Sequence, residues 1–478
     1  MKPADLAIID AIKALADQHR DELGFHTRQA FIDSARRGEL IVATLRDALA
    51  GFVRFHKRRD HAATIYEIAT SPVRRRRGVA RRLVEAVVEE VRRLGARTLR
   101  LSCPAELSAN EFYPAVGFSR VSPRSRPGKQ RPLIEWQMPI LPPRPMTFVA
   151  SLSNAANDLR HLIRLWEDEG SDDRPFERCI ITPLFTDGRS LQHVRYIHDR
   201  WGVRVVFDSG GFFVQQGKVT YDELFPRLLD YYAHNDWADS YVLPDFVPTS
   251  RNSASEVDER VHVTAAEGVK FHNRMPSDLR PRALGVLQGH SAAHLKFCLE
   301  TYLGSGIPHL GFGSFDTGGI NAEINLFTAQ SSQRLEVLRE LLEGPYLRGE
   351  GDILPSLHLF GVSSPALLAS FPRFLATSFD SSGWLRTAGY GNVYLPFLSR
   401  RNVTHGASAL SCGTGLSAAA FYTACATSGH ECPFCRDFDR VRKDRYARML
   451  HNALVFREMT ARLNDGPPNR AVAASEGG

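Results

Sequence analysis

The stretch His358–Arg386, HLFGVSSPALLASFPRFLATSFDSSGWLR, decides how this chain is read. Two short apolar runs, LHLFG and ATSFD, have the composition of buried strands, and Asp380 closes the second of them. The apolar segment from Pro365 to Phe374 between them predicts a short helix. A carboxylate at the tip of a buried strand can be aimed at a substrate by a rigid scaffold. That placement suits a nucleophile or an acid/base group.

Outward from this stretch, residues 146–465 repeat the same alternation. Short apolar runs begin at Phe148 (FVASL), Ile180 (IITPL), Val205 (VVFDS), Tyr241 (YVLPD), Leu284 (LGVLQ), His309 (HLGFG), Leu357 and Ala376. Eight strands separated by helix-length segments predict a (β/α)8 barrel with insertions. Polar residues and glycines close the runs: Asp208-Ser209-Gly210-Gly211, Asp245, Gln288-Gly289, Gly311, Gly313, Gly361 and Asp380. Carboxylates, an amide and glycines around one pocket suit a flat, hydrogen-bonding heterocycle. Asp245 can accept from an N–H edge, Gln288 can give and accept, and glycine lets backbone approach the ring. A further carboxylate there could attack a sugar C1′ and form a covalent glycosyl intermediate.

These residues also resemble a known family. Phe207-Asp208-Ser209-Gly210-Gly211-Phe212 is similar to the DSGGF motif of the tRNA-guanine transglycosylases, and Val286-Leu287-Gln288-Gly289 to their VQG segment. His309-Leu310-Gly311-Phe312-Gly313 resembles their GLAVG segment. Leu359-Phe360-Gly361-Val362-x-x-Pro365, followed by Phe379-Asp380 and Arg386, keeps their spacing from glycine to nucleophile to arginine. The resemblance implies that Asp380 is the nucleophile and that Asp208 handles the proton of the exchanging base. It assigns base recognition to Ser209, Asp245, Gln288, Gly289 and the backbone around Leu310 and Gly313. The implied reaction replaces guanine by a 7-deazaguanine base in tRNA or in DNA, since one branch of the family works on each. The target base must leave its stack to reach such a pocket. The alternative is a barrel that only binds nucleic acid.

Downstream, His430-x-Cys432-x-x-Cys435 precedes His451-Asn452. Two thiolates at this spacing with two imidazoles meet the needs of a closed, tetrahedral structural zinc. The transglycosylases carry CxCxxC and then a histidine, so His430 stands in the place of the first cysteine. Cys425 or Cys412 is the other candidate for that fourth position. Seven cysteines, four of them between Cys412 and Cys435, fit a metal site better than a disulfide framework.

The first 140 residues are organised differently. A helix is followed by strands LIVATL, AGFVRFHK and TIYEIATS, then by the helix GVARRLVEAVVEEVRRLG, strand RTLRLSCP, a short helix and a closing strand LIEWQMP. Val79, Leu83, Val84, Val87, Val88 and Val91 make one buried face. A glycine at the start of that helix leaves free backbone N–H groups at the positive end of its dipole, a natural seat for a pyrophosphate. Pro72-x-x-Arg75-x-x-Gly78-Val79-Ala80 resembles the coenzyme A loop of the GNAT acetyltransferases, and Ala109-x-x-Phe112-Tyr113-x-x-x-Gly117-Phe118 resembles a later segment of that family. Acetyl-CoA is the implied cofactor, held by Arg75, Gly78, Val79 and Ala80. Tyr113 is the implied general acid and Glu67 the implied general base, acting directly or through water. Glu106 stands where that family often has asparagine.

The expected organisation is therefore α/β throughout. A GNAT-like mixed sheet with flanking helices over 1–140 precedes a Pro-rich linker over 141–146. A transglycosylase-like TIM barrel over 147–465 follows, with a zinc-binding helical element near 430–451 and a disordered tail over 466–478. The formal charge of +7 suits a polyanionic partner. No apolar run of about 18 residues predicts a membrane span. The charged N-terminus lacks the apolar core of a signal peptide, so a cytoplasmic location is expected. A homodimer is left open.

Overall fold

The computed structural model describes residues 2–3, 6–23, 26–45, 48–58, 60–121, 132–141, 144–169, 173–248, 252–289, 291–313, 329–348, 350, 354–370, 375–404 and 415–465. Cys412, Pro142, Pro143 and the expected tail over 466–478 lie outside the described residues. The chain divides into two compact units, Met1–Pro143 with Glu343–Leu354, and Arg144–Leu342 with Pro355–Gly478. Among the described residues no helix is long and apolar enough to cross a membrane.

The first unit is built on a seven-stranded sheet. Its strands are β1 (Lys2–Pro3), β2 (Leu40–Leu45), β3 (Ala48–Lys57), β4 (Ala62–Thr70), β5 (Thr98–Pro104), β6 (Ser119–Val121) and β7 (Leu133–Pro139), in the order β1-β2-β3-β4-β5-β7-β6. Only β4 and β5 run parallel. Their pairing ends at Ile65 and Leu101, although β4 continues to Thr70 and β5 to Pro104. The two strands thus part toward their C-terminal ends. The helix Val79–Arg93 covers one face with Leu83, Val84, Val87 and Val91, as the spacing predicts. The helices Ile9–Gln18 and Arg28–Arg36 cover the other face, where Ile12 and Phe31 meet Phe52 and Val42. The sequence reading did not contain β1 or β6. Each is three residues or fewer, too short to show an alternating pattern.

The second unit contains a closed barrel of eight parallel strands. They are β8 (Thr147–Ser151), β9 (Arg178–Ile181), β10 (Arg204–Phe207), β11 (Ser240–Val242), β12 (Ala283–Leu287), β13 (His309–Phe312), β14 (Ser356–Leu359) and β15 (Ser378–Ser381). Each falls on one of the eight apolar runs read from the sequence. Strand side chains alternate between two faces. Val149, Ile180, Val206, Val242, Leu284 and Val286 fill an inner cluster, while the opposite face packs beneath the helices in the large outer core. Within the segment Pro365–Phe374, where a short helix is expected, Pro365–Ser370 forms a 3-10 helix. Phe371–Phe374 lie outside the described residues.

Candidate functional site

A cavity of about 290 Å³ opens among the strand C-termini of the barrel. Asp208, Gly211, Asp245, Gln288, Gly313 and Asp380 line it together with Ser151, Thr182, Phe212 and Phe360. Residues as far apart in sequence as Ser151 and Asp380 meet here because every strand of a parallel barrel ends on the same rim.

Each carboxylate is anchored. Asp380 accepts from the Gly361 N–H and from the Ser151 hydroxyl, both at 2.7 Å, and the His358 Nε2 stands 3.3 Å from its Oδ1. Asp208 accepts from the Thr182 hydroxyl at 2.8 Å. Asp245 accepts from the Ser209 hydroxyl at 2.9 Å and from the Gln288 side-chain amide at 2.7 Å. Burial pushes the Asp245 carboxyl up to about 6, with the neighbouring Asp208 charge acting in the same direction. Asp208 is raised as well. Removal from water is the first cause, the Thr182 hydrogen bond opposes it, and the Asp380 charge adds to the rise. Three acids with different surroundings in one cavity can divide the work of proton donor, hydrogen-bond acceptor and nucleophile.

The glycines at this rim are fixed by space. A Cβ on Gly211 would stand 2.1 Å from Oδ1 of Asp245, and one on Gly311 2.3 Å from the Phe360 ring. Gly289 has φ +107° and a Cβ there would meet the His294 Cβ at 2.4 Å. Gly289 and Leu310 do not line the cavity. Leu310 is fully buried in the outer core, whereas Gly313, three residues on, does line it. Ser209 is buried behind Asp245 as its brace.

Sequence reasoning missed Ser151, Thr182 and His358. Ser151 and Thr182 are polar residues at the ends of β8 and β9, the same signal that selected Asp208. His358 sits inside an apolar run, where a histidine reads as core.

A second cluster lies in the C-terminal helical element. One ligand-type atom from each of His430, Cys432, Cys435 and His451 falls within 4.8 Å of the others. The two sulfurs are 3.2 Å apart, and His451 Nδ1 is 3.2 Å from Cys435 Sγ and 3.5 Å from Cys432 Sγ. His451 Nε2 meets the Tyr394 carbonyl at 2.9 Å, so the ring carries its proton there and turns a lone pair to the sulfurs. His430 is held likewise, with Nδ1 on the Glu458 carboxylate. Its Nε2 is buried without a hydrogen-bond partner. An orphaned acceptor beside two thiols and a second imidazole lone pair is the donor set of a tetrahedral, thiophilic cation. Cys425, the other candidate ligand, is buried and interacts with Cys435.

In the first unit a cavity of about 600 Å³ lies beside the parting of β4 and β5. Thr70, Arg75, Gly78, Val79, Ala80 and Tyr113 are among its lining residues. Gly78 caps the helix Val79–Arg93 with φ +75°, a left-handed conformation that glycine adopts without strain. The helix's first N–H groups are therefore presented at this cavity. Arg75 Nη2 reaches the buried His19 ring at 3.3 Å, and His19 pairs with Glu22 at 2.9 Å. Burial raises the Tyr113 hydroxyl well above its usual range, with Cys103 adding to the effect. Glu67 does not line the cavity. Arg54 Nε donates to its Oε1 at 3.1 Å and His26 Nδ1 lies 3.1 Å from the same oxygen, while its Oε2 is buried without a partner.

Residues 8–118 match the profile of the acetyltransferase (GNAT) family. Similar solved structures include Ard1 from Thermoplasma volcanium, 20% identical over 30% of this chain and 97% of that one, with a TM-score of 0.27. The ribosomal-protein-alanine N-acetyltransferase from Brucella melitensis is 19% identical over 29% of this chain and 98% of its own, with a TM-score of 0.26. The N-acetylglutamate synthase from Neisseria gonorrhoeae, solved with coenzyme A and N-acetyl-glutamate, is 17% identical over 30% of this chain and 35% of that one, at 0.27. No curated protein matches the chain. Within the first unit residues 8–118 therefore match the GNAT acetyltransferase family, and the second unit contains a closed parallel barrel.

Proposed function

We propose that the chain joins an acetyl-CoA-dependent N-acetyltransferase to a guanine transglycosylase that exchanges guanine for a 7-deazaguanine base in DNA or tRNA. The observation that carries the second activity is the convergence of Asp208, Asp245 and Asp380 on one barrel cavity, with Asp245 braced by Ser209 and Gln288.

In this reading the Asp245 carboxylate accepts from the N–H edge of the base, beside the Gln288 amide. Asp380 attacks C1′, forming a C1′–O bond as the C1′–N bond to guanine breaks, and Asp208 gives a proton to the departing base. Its raised proton affinity suits a donor. The incoming base surrenders its proton to Asp208, attacks C1′ and releases the Asp380 carboxylate. Gly361 and Ser151 hold the Asp380 carboxylate in place for the attack.

In the acetyltransferase, Arg75 and the N–H groups of Val79 and Ala80 bind the coenzyme A pyrophosphate. An acceptor amine attacks the acetyl carbonyl, the C–S bond breaks, and Tyr113 protonates the leaving thiolate. Burial keeps that hydroxyl protonated at neutral pH. Glu67 does not line the cavity, so it receives the amine proton through water. His430, Cys432, Cys435 and His451 would hold a structural zinc, which supplies a cross-link between C-terminal elements and takes no part in either reaction.

Incubation with radiolabelled guanine and either tRNA or duplex DNA, followed by precipitation, tests the exchange. Incorporation that disappears in Asp380→Asn supports it. No incorporation into either polymer, with a range of 7-deazaguanines also tried, points instead to an acetyltransferase whose barrel only binds nucleic acid.

A further inference from the structure

We propose that His358 is a positioning residue for Asp380, holding the carboxylate by hydrogen-bond donation and stabilising it when it leaves C1′; this rests on the glycosyl-transfer reading above. His358 and Ser378 are direct partners across the β14–β15 ladder. Asp380, two residues beyond Ser378, projects on the same side of β15. The ring is therefore clamped between two side chains of one strand. His358 Nδ1 lies 2.8 Å from the Ser378 Oγ, and Nε2 lies 3.3 Å from Asp380 Oδ1. A hydroxyl that donates to Nδ1 leaves the ring proton on Nε2, facing the carboxylate.

The placement is costly for packing alone. His358 is 4% exposed, its ring meets Phe360 edge to face at 4.6 Å, and the inner cluster that β8, β9, β10, β11 and β12 contribute to the same barrel is valine, isoleucine and leucine. An apolar side chain would satisfy such a site, whereas a buried imidazole needs partners at both nitrogens. Its partners are the nucleophile and a serine that fixes the tautomer. Attack on C1′ converts the carboxylate to an ester and removes its charge. When the incoming base displaces the ester, the electron pair of the C1′–O bond returns to Asp380. The Nε2–H stays on the ring throughout and bonds most strongly to the charged forms at either end.

The test compares His358→Phe, which fills the space without a donor, with His358→Gln, which restores one, in the full-length protein. The readouts are kcat and KM for guanine exchange and the amount of covalent polymer–protein adduct surviving acid quench. The Phe variant is expected to lose about 10- to 100-fold in kcat, with KM for guanine changed less than about 3-fold. The adduct should persist longer, and the Gln variant should recover to within about 5-fold of wild type. Undiminished exchange in the Phe variant overturns the assignment, and so does a Gln variant as slow as the Phe variant. Should His358→Phe prevent folding, Ser378→Ala takes its place. Loss of tautomer control should lower kcat by about 3- to 10-fold at unchanged KM, and an unaltered kcat refutes the proposal. Wild-type protein that exchanges no base removes the transglycosylase reading and this inference together, whereas exchange that persists without the His358 donor removes only the inference.

Discussion

Gly211 and Asp245 share one space: a Cβ on the glycine would stand 2.1 Å from Oδ1 of the carboxylate. Gly211 has no positive φ, so alanine suits its backbone and the conflict is with the side chain alone. Gly211→Ala must displace Asp245 and loosen its bonds to Ser209 and Gln288. The expected outcome is a loss of guanine affinity of at least about tenfold, near 1.4 kcal/mol, with an unchanged circular dichroism spectrum. Wild-type affinity by calorimetry in that variant would exclude this cavity as the base site.

Asp245 predicts a pH dependence of two kinds. Its folded proton affinity, about 6, lies above the ordinary value of 3.8. The folded state therefore binds more protons than the unfolded chain between those values, and stability falls as pH rises through that window. Asp245→Asn lacks this penalty and can keep both hydrogen bonds if the Gln288 amide turns over. Its melting temperature should match wild type near pH 4 and exceed it above pH 6, by the equivalent of roughly 1–3 kcal/mol. Guanine binding runs the other way, strengthening in the wild type as pH rises through about 6 because the ionised carboxylate is the acceptor. A pH-independent difference in melting would count against the assigned cause.

All eight barrel strands were legible because a strand buried on both faces is a short apolar run closed by a polar or glycine residue, and Phe148, Val205 and Leu284 begin such runs. Asp208, Asp245, Gln288 and Asp380 were legible from the same grammar. The braces were not. Ser151 and Thr182 act through hydroxyls whose partners lie on other strands, at distances no single sequence encodes, and His358 is indistinguishable from a core residue until Ser378 is seen opposite it. The fourth member of the Cys/His cluster stayed open between His430 and Cys425 for a related reason. Spacing gives reach, whereas the orphaned Nε2 of His430 gives direction.

That orphaned atom leads to a metal measurement. Purified wild-type protein should carry about one zinc per chain, and Cys432→Ser/Cys435→Ser less than about 0.2 equivalent. The binding energy of a structural metal is folding energy, so chelation should lower the melting temperature of the wild type and leave the double variant unmoved. Stably folded wild-type protein free of zinc would end this assignment without touching the barrel cavity, which shares none of these residues.

In the first unit Gly78 separates backbone shape from contact. Open space surrounds its Cα, with nothing within 4 Å of an added Cβ, yet its φ is +75°. A substitution there meets strain and no clash. Asparagine tolerates the left-handed region, while a β-branched residue loses about 1–2 kcal/mol there or drags the first turn of the helix out of register. Because the Val79 and Ala80 N–H groups are aimed by that turn, Gly78→Val should weaken coenzyme A binding by about tenfold or more and Gly78→Asn by only about 2- to 3-fold. Arg75→Ala, which leaves the turn intact, should raise KM for acetyl-CoA and change kcat little, since its charge meets the pyrophosphate equally in ground and transition states. Calorimetric titration with coenzyme A reads the two Gly78 variants, and initial rates against acetyl-CoA read Arg75→Ala. Equal affinity in the Val and Asn variants would mean that the turn at Gly78 does not position the cofactor.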